Sequence, residues 1–441
     1  MRFLPHTDAD RSDMLAQMGM QSMQELFADI PENFHIEQGS LSLAKAKSEV
    51  DILRTFKAAA NKNSDAQQNR CFLGAGTYHH AIPAAVDYII SRGEFLTAYT
   101  PYQPEISQGT LQALFEFQTI IARLLGMEVA NASLYDAATA VAEAALMARR
   151  ITRRKDVILA GNINPRYSKV CDNYLSYLDG DCHHVSDFEQ LTSQLDKKIS
   201  CVIIQNPDFY GRVQDLHTLR EQCSQHGILL VVCFGDISAY GLIAPPGEYG
   251  ADIAVGSGQS LGIPMGYGGP HLGLLSCKKK YLRQIPGRLC GMTQDNQGRR
   301  AFTLTLSTRE QHIRREKATS NICTNQGLMC TAAASYMSLM GDAGLEQVAK
   351  RSAAALQRLT QGLPPHILAD EGVHYNETVL HFPSQQERDD FLARAQQVNI
   401  FAGIPLERIK STASKAALLV ATTEMIEAND IDDYLQLLGG Q

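Results

Sequence analysis

The sequence lacks the patterns that mark several classes of protein. Its ten cysteines include no CxxC pair, so neither a zinc nor an iron–sulfur site is predicted. No apolar run approaches the ~18 residues of a membrane-spanning helix, and no membrane segment is expected. The net charge of −7 gives no general affinity for nucleic acid, although a local basic pocket can still bind phosphate.

The N-terminal stretch MRFLPHTDADRSDML has neither the apolar core of a signal peptide nor the pattern of a transit peptide. Cys201 and Cys233 lie inside apolar runs, and we interpret them as small buried hydrophobic residues in a reducing compartment. These features predict a cytoplasmic protein. With 441 residues, 44% of them apolar, the chain can bury a large core without disulfides or metals.

Strand-like runs alternate with helical patterns through the middle of the chain. The alternation predicts an α/β fold with a mostly parallel sheet covered by helices on both faces. We expect a helical arm at residues 1–61, a large domain at 62–340 and a small α+β domain at 341–441. The predicted strands of the large domain are Val157–Ala160, Cys201–Gln205, Leu229–Phe234, Asp252–Val255 and Leu272–Leu275.

Residues 99–109, YTPYQPEISQG, form the first candidate binding element. Their two prolines fix φ and bias the preceding residues toward extended conformations, which predicts a stiff loop. On composition alone, a surface loop with buried phenols remains open. A stiff loop rich in hydrogen-bonding groups is also what a binding site uses.

Two further motifs contain glycines or basic residues. Residues 256–271, GSGQSLGIPMGYGGPH, have GxGxxxG spacing and a proline where a dinucleotide-binding loop would start its helix, which disfavours a nicotinamide site. Residues 309–325, REQHIRREKATSNICTN, crowd four bases and one histidine before small polar side chains. They fit either a solvated helix face or a phosphate or carboxylate site.

The segment GAGTYHH, residues 74–80, contains two adjacent histidines. In a strand, neighbouring side chains point to opposite faces of the sheet, so the pair would chelate a metal poorly. No metal is therefore predicted here.

Together these segments closely resemble the P-protein of the glycine cleavage system, and more narrowly the first subunit of its two-chain bacterial form. The resemblance covers essentially the whole chain, with a small departure at Ala137, where glycine is expected, and another at His79. The segments that carry it are GAGTYHH, TAYTPYQPEISQGTLQ, VANASLYD, GSGQSLGIP and REQHIRREKATSNICTNQ.

The resemblance implies the fold of type I pyridoxal-phosphate (PLP) enzymes, with a smaller α+β C-terminal domain. In that fold an aspartate at a strand end supports the pyridine nitrogen, and a lysine some two dozen residues later forms the Schiff base. Asp236 matches the aspartate, but Gln259 stands where the lysine is expected. A carboxamide nitrogen is not nucleophilic and cannot form that bond.

The implied activity is PLP-dependent decarboxylation of glycine, with transfer of the aminomethyl group to the lipoyl disulfide of the H-protein. The resemblance implies that PLP is held by a second subunit in an α2β2 complex, and that this chain completes an interfacial active site. On that basis Tyr99, Tyr102, Gln103 and Glu105 are expected to shape the pocket. Residues 319–321 (Thr319, Ser320 and Asn321) are candidates for the cofactor phosphate.

Two alternatives stay open. The chain could be a self-sufficient PLP enzyme that uses another lysine, such as Lys317. It could also be a non-catalytic scaffold that only stabilises the cofactor-bearing subunit.

Overall fold

The structure of the chain, a computed structural model, describes residues 5–36, 40–186 and 188–439. Its contacts divide the chain into two units, Met1–Ser64 and Asp65–Gln441. The first unit contains helices α1 (Asp8–Gln17) and α2 (Glu49–Ala60) and two short 3₁₀ turns, and no side chain in these four elements is buried. The domain boundaries expected near residues 61 and 340 stay predictions.

The second unit alternates strands and helices as the sequence predicts. Its strands are β1 (Arg70–Cys71), β2 (Val129–Ala130), β3 (Asp156–Ala160), β4 (Cys182–Val185), β5 (Ile199–Gln205), β6 (Leu229–Phe234), β7 (Ile253–Ser257), β8 (Gly273–Cys277), β9 (Leu289–Gln294), β10 (Arg300–Thr305), β11 (Leu368–Ala369), β12 (Glu377–His381), β13 (Ile400–Phe401), β14 (Ile404–Pro405) and β15 (Ala417–Ala421). Its helices are α3 (Ala84–Ile90), α4 (Gly93–Leu96), α5 (Gln108–Leu124), α6 (Ala137–Thr152), α7 (Pro165–Leu175), α8 (Phe188–Gln194), α9 (His217–His226), α10 (Gln311–Arg314), α11 (Gly327–Gln361), α12 (Gln385–Gln397) and α13 (Ala428–Gly439).

A seven-stranded sheet forms the centre of this unit, in the order β2-β8-β7-β6-β5-β3-β4. The five strands from β4 to β7 are parallel, whereas β8 and β2 continue the sheet in antiparallel pairings. The prediction of a mostly parallel sheet is therefore confirmed. Each predicted strand of the large domain lies within two residues of an observed one.

Both faces of the sheet are buried, as the continuous apolar strands require. In β3, Val157 and Leu159 pack with α6 and α7 in one core cluster. Ile158 and Ala160 lie in a second cluster, which contains residues of α8 and α9. The alternation along β3 thus supplies one side chain in turn to each face of the sheet.

One end of α6 and one end of α5 are defined by a capping side chain and by a glycine, respectively. The side chain of Asp136 accepts a hydrogen bond from the Thr139 N–H at 2.8 Å and caps α6. Gly126 follows α5 with φ +63°, a left-handed conformation that glycine adopts without strain. The sequence predicts both ends, since Asp136 precedes an alanine-rich helical run and Gly126 follows an apolar one.

The C-terminal part of the second unit contains an antiparallel sheet in the order β11-β12-β15-β14. Helices α12 and α13 pack on it through a core that includes Phe391 and Tyr434. The sequence pattern predicts a helix that starts at Leu345. Helix α11 begins earlier, at Gly327, and continues across Gly341, which has non-helical backbone angles. Among the described helices, none combines the length and the apolar character that crossing a bilayer requires.

Candidate active site

The predicted stiff loop lies at the surface and is irregular up to a short 3₁₀ turn at Pro104–Ile106. Its last two residues belong to α5, which begins at Gln108, so the loop is shorter than the predicted 99–109. Tyr99 is 84% exposed and Tyr102 is 62% exposed. Gln103 and Glu105 are exposed as well. The four candidate pocket residues therefore face outward.

A buried arginine ties this loop to the small polar residues that follow α10. Arg288 is 3% exposed, and its shortest hydrogen bond is from Nη2 to the Cys323 carbonyl at 2.7 Å. Its charge also lies over the Tyr102 ring, 5.5 Å from the centroid. Its other hydrogen-bond partners are Thr324 Oγ1 at 3.1 Å, Asn325 Oδ1 at 3.3 Å, and Thr100 Oγ1 and Tyr102 Oη at 3.4 Å each.

Every one of these acceptors is neutral. In the described ranges, no carboxylate lies within ion-pair distance of Arg288, and its Nε is buried without a hydrogen-bond partner. Burying a guanidinium without a counter-ion is costly. Arg288 therefore gives this surface an uncompensated positive charge directly beneath the exposed Tyr102.

The three candidate phosphate-binding residues lie just before this junction and differ in exposure. Thr319 and Ser320 are half-buried, and Asn321 is exposed. Burial raises the pKa of the Glu143 carboxyl on α6, while the Ser320 hydroxyl and Arg150 lower it. Ser320 thus lies near a buried carboxyl whose two oxygens have no hydrogen-bond partner, and Asn321 is the member of this segment that faces solvent.

A second, buried cluster lies at the ends of β6 and β7. Gln259 follows β7 and is 2% exposed. Its Oε1 accepts from the Tyr78 N–H at 2.9 Å, and its Nε2 donates to the carbonyls of Tyr78 at 3.0 Å and Ile263 at 2.7 Å. Three hydrogen bonds satisfy both ends of the amide, so the side chain is locked against the backbone of residues 78 and 263.

Asp236 follows β6 and accepts hydrogen bonds from several side chains of this chain. They come from His80 Nε2 at 3.1 Å, Asn376 Nδ2 at 2.8 Å, and the hydroxyls of Ser238 and Ser260. Burial by itself would raise the pKa of Asp236, but His80 and these donors outweigh it and lower the pKa to about 2. The carboxylate is therefore ionised and fully surrounded.

His80 joins this carboxylate to a second one. Its Nδ1 lies 2.8 Å from Glu424 Oε2. Burial would lower the pKa of His80, but Asp236 and Glu424 raise it to about 10. The residues from Gly74 to His80 lie in neither a helix nor a strand, since β1 ends before them at Cys71. The adjacent histidines therefore do not have the strand geometry expected for them, and His80 serves as a buried cation between two carboxylates.

Comparisons with known proteins agree with these observations. A family model described as "Glycine cleavage system P-protein" matches residues 1–438. This chain belongs to the glycine cleavage system P-protein family. It is 47% identical over 451 residues to the probable glycine dehydrogenase (decarboxylating) subunit 1 of Sphingopyxis alaskensis, with 99% of each chain covered. The protein of the same name from Rhodospirillum rubrum is 46% identical, also with 99% coverage of each. The predicted family, including its first subunit, is confirmed.

A solved structure of a family member supports the fold over the full length. It is a glycine decarboxylase (P-protein) in inhibitor-bound form, 38% identical, with a TM-score of 0.88 and complete coverage of both chains. The cysteine desulfurase of Thermococcus onnurineus, at 14% identity, has a TM-score of 0.62 over 90% of this chain. The type I fold predicted from the sequence is confirmed.

PLP is the cofactor that this fold family implies, and the buried cluster does not fit it. A covalently held PLP needs a primary amine, whereas Gln259 offers an amide with every polar atom bonded. A pyridine nitrogen needs a free carboxylate oxygen, whereas both oxygens of Asp236 already accept from this chain. The residues around Gln259 and Asp236 therefore do not fit PLP.

Sequence reasoning missed Arg288, Glu377 and Glu424. Arg288 stands alone in the otherwise apolar run IPGRLCG, and a single base in such a run was a usable signal. Glu377 and Glu424 lie in the C-terminal sheet region, about 300 residues or more from their partners Tyr78 and His80. No local pattern relates positions so distant in the chain.

Proposed function

We propose that this chain is subunit 1 of a glycine dehydrogenase (decarboxylating), and that a second subunit holds PLP in an α2β2 complex. The complex decarboxylates glycine and transfers the aminomethyl group to the lipoyl disulfide of an H-protein. The single observation that carries the proposal is the locked amide of Gln259 in a chain whose full length matches the P-protein family. PLP supplies the electron-accepting chemistry, and this chain supplies surface residues around it.

The division of labour rests on the chemistry of the Asp236 cluster. An amide nitrogen shares its lone pair with the carbonyl, so Gln259 has no nucleophile for an aldehyde. Freeing Asp236 for a pyridine ring would break its bonds to His80 and Asn376. Both arguments support a cofactor bound by the partner subunit.

The outward-facing loop supports a site shared between subunits. Tyr99, Gln103 and Glu105 expose phenol, amide and carboxylate groups. Tyr102 is also exposed, and its hydroxyl accepts from the buried Arg288. Ile106, at 81% exposure, adds an apolar side chain of the kind that subunit interfaces bury. We propose that these residues line the glycine and lipoyl pocket, with Tyr102 supplying a ring face and one directional hydroxyl.

The charge beneath the loop supports binding of an anionic group. Arg288 lacks a carboxylate partner among the described residues. Asn321 is exposed two residues before Cys323, whose carbonyl accepts from Arg288. We propose that residues 319–321 approach the phosphate of the partner's cofactor. Arg288 then acts as a positioning residue that holds Tyr102 against residues 323–325.

Reductive trapping tests where PLP is bound. Borohydride is added to PLP with this chain alone, with its partner subunit alone, and with the complex, and the pyridoxyl-lysine is identified by mass spectrometry. A label restricted to the partner is expected. A stoichiometric label on one lysine of this chain, such as Lys317, would instead establish a self-sufficient PLP enzyme and overturn the proposal.

The substitution Tyr102→Phe tests whether the loop takes part in turnover. We expect slower glycine decarboxylation by an intact complex, because the hydroxyl is lost while the ring remains. Tyr177, which is 82% exposed and lies outside the loop, provides the control Tyr177→Phe, which should retain full activity. Full activity of Tyr102→Phe in an assembled complex would favour the scaffold alternative.

A further inference from the structure

Three potential metal ligands, Asp172, Cys182 and His184, meet at the outer edge of the seven-stranded sheet, and Cys171 is a fourth candidate beside them. Cys182 and His184 are two residues apart on the edge strand β4, so their side chains leave the same face. Cys171 and Asp172 are consecutive residues of α7, the helix that packs beside this strand. The sequence gives no sign of this cluster because the two pairs belong to different elements.

The distances between these groups are short. The ligand atoms of Asp172, Cys182 and His184 all lie within 4.8 Å of one another, and His184 Nε2 is 2.9 Å from Asp172 Oδ1. Cys171 is not one of these mutually close groups, but its thiol neighbours that of Cys182 and is the largest cause of a raised pKa at Cys182. Cys171 is fully buried, so it neighbours Cys182 from the protein side.

We propose that Cys171, Asp172, Cys182 and His184 form a binding site for a divalent transition-metal ion of the zinc class. Two sulfurs, one imidazole nitrogen and one carboxylate oxygen are the donor types that zinc takes in four-coordinate sites. Tetrahedral zinc keeps its ligand atoms roughly 3.3–3.8 Å apart. The ligand atoms of Asp172, Cys182 and His184 already lie within 4.8 Å of one another, and binding would draw in Cys171 as the fourth ligand. Calcium and magnesium prefer oxygen ligands and do not match the two thiols.

An ion can reach the cluster from solvent. The side chains of Asp172 and His184 are 43% and 52% exposed, and both line a cavity of about 520 Å³ at the carboxyl ends of β3 and β4. A bound ion would join α7 to a strand whose outer side has no neighbour in this sheet. The site would thus stabilise an exposed sheet edge.

Metal titration of the untagged full-length chain tests the proposal. The protein is stripped with a chelator, kept reduced with a phosphine, and titrated with Co²⁺ and then with competing Zn²⁺. One Co²⁺ per chain is expected, with a thiolate-to-cobalt charge-transfer band and the visible bands of a tetrahedral site. His184→Gln and Cys182→Ala should each weaken binding by at least about tenfold and alter these bands.

The chain offers matched controls. His183 is adjacent to His184 but belongs to a different group, with Asp156 and Asp181, so His183→Gln should leave the cobalt spectrum unchanged. The exposed Cys323 is remote in sequence, and Cys323→Ser should also have no effect. His184 is exposed, so its variant is expected to keep the wild-type circular dichroism and thermal unfolding.

Three results would overturn the proposal: no charge-transfer band with the wild-type chain, unchanged Co²⁺ affinity in both His184→Gln and Cys182→Ala, or loss of binding in His183→Gln instead. The last result would assign the ion to the oxygen-rich group on the opposite face of β4. None of these outcomes depends on glycine turnover, so the test is independent of the proposed function.

Discussion

The substitution His80→Ala removes a buried cation from between two buried carboxylates. His80 Nε2 lies 3.1 Å from Asp236 Oδ2 and its Nδ1 lies 2.8 Å from Glu424 Oε2. All three side chains are at most 6% exposed. Without the imidazole, the two carboxylates keep their mutual repulsion and lose their shared counter-ion. We therefore expect a large loss of folding stability.

The size of the loss follows from the pKa of His80, which rises from 6.5 to about 10. One pKa unit corresponds to ~1.4 kcal/mol, so the rise corresponds to roughly 4–5 kcal/mol for the protonated form. Breaking one partner out of a buried ion pair typically costs about 3–5 kcal/mol. Because the folded pKa is the higher one, this stabilisation is complete below pH 6.5 and is lost as the pH rises through 10.

Urea denaturation at pH 6 measures the effect, with His79→Ala as the matched control. His79 is the neighbouring residue and is half-buried, so His79→Ala should change the unfolding free energy by about 1 kcal/mol or less. Adding Asp236→Asn to His80→Ala should recover part of the stability, since one buried charge disappears. Similar losses for His79→Ala and His80→Ala would refute the ion-triad reasoning.

Three further predictions concern single positions. Burial raises the pKa of Glu377 from 4.5 to about 8. The protonated carboxyl therefore stabilises the folded chain fully below pH 4.5, and this stabilisation is lost as the pH rises through 8. Glu377→Gln should flatten that part of a pH series of unfolding free energies. Arg288→Met should lower kcat of the assembled complex by about tenfold or more, and Arg288→Lys should not restore it, because lysine lacks the planar set of donors. Gly211→Ala should lower the melting temperature far more than Gly298→Ala does. Both glycines have positive φ, but the new Cβ would lie 1.9 Å from the Glu377 carbonyl oxygen at position 211 and meets nothing within 4 Å at position 298.

The fold was predictable where one local pattern was sufficient. The apolar run at residues 229–234 predicts β6 with both ends correct, because a strand buried on both faces needs continuous apolar side chains. Asp136 and Gly126 marked helix ends through their own side chain and backbone preferences. The start of α11 was missed, since Gly341 interrupts the helix without ending it.

The candidate site was predictable only as separate segments. The prolines at 101 and 104 indicated an irregular loop, and the loop is irregular as far as the turn at Pro104–Ile106. That Arg288 joins this loop to residues 323–325 had no local signal, because the contacts span 186 and 35 positions in the chain. The catalytic roles of Tyr99, Tyr102, Gln103 and Glu105, the phosphate role of residues 319–321 and the cytoplasmic location stay predictions.

The sequence by itself determined the family, the α/β class and the absence of an amine at position 259, because these depend on residue identity and short-range order. Tertiary structure decided how the chain fills that position. The amide of Gln259 is locked by the backbone of Tyr78, and Asp236 is surrounded by His80, Ser260 and Asn376. These partners come from three segments that only folding brings together, and buried polar groups select such partners by geometry rather than by their order in the chain.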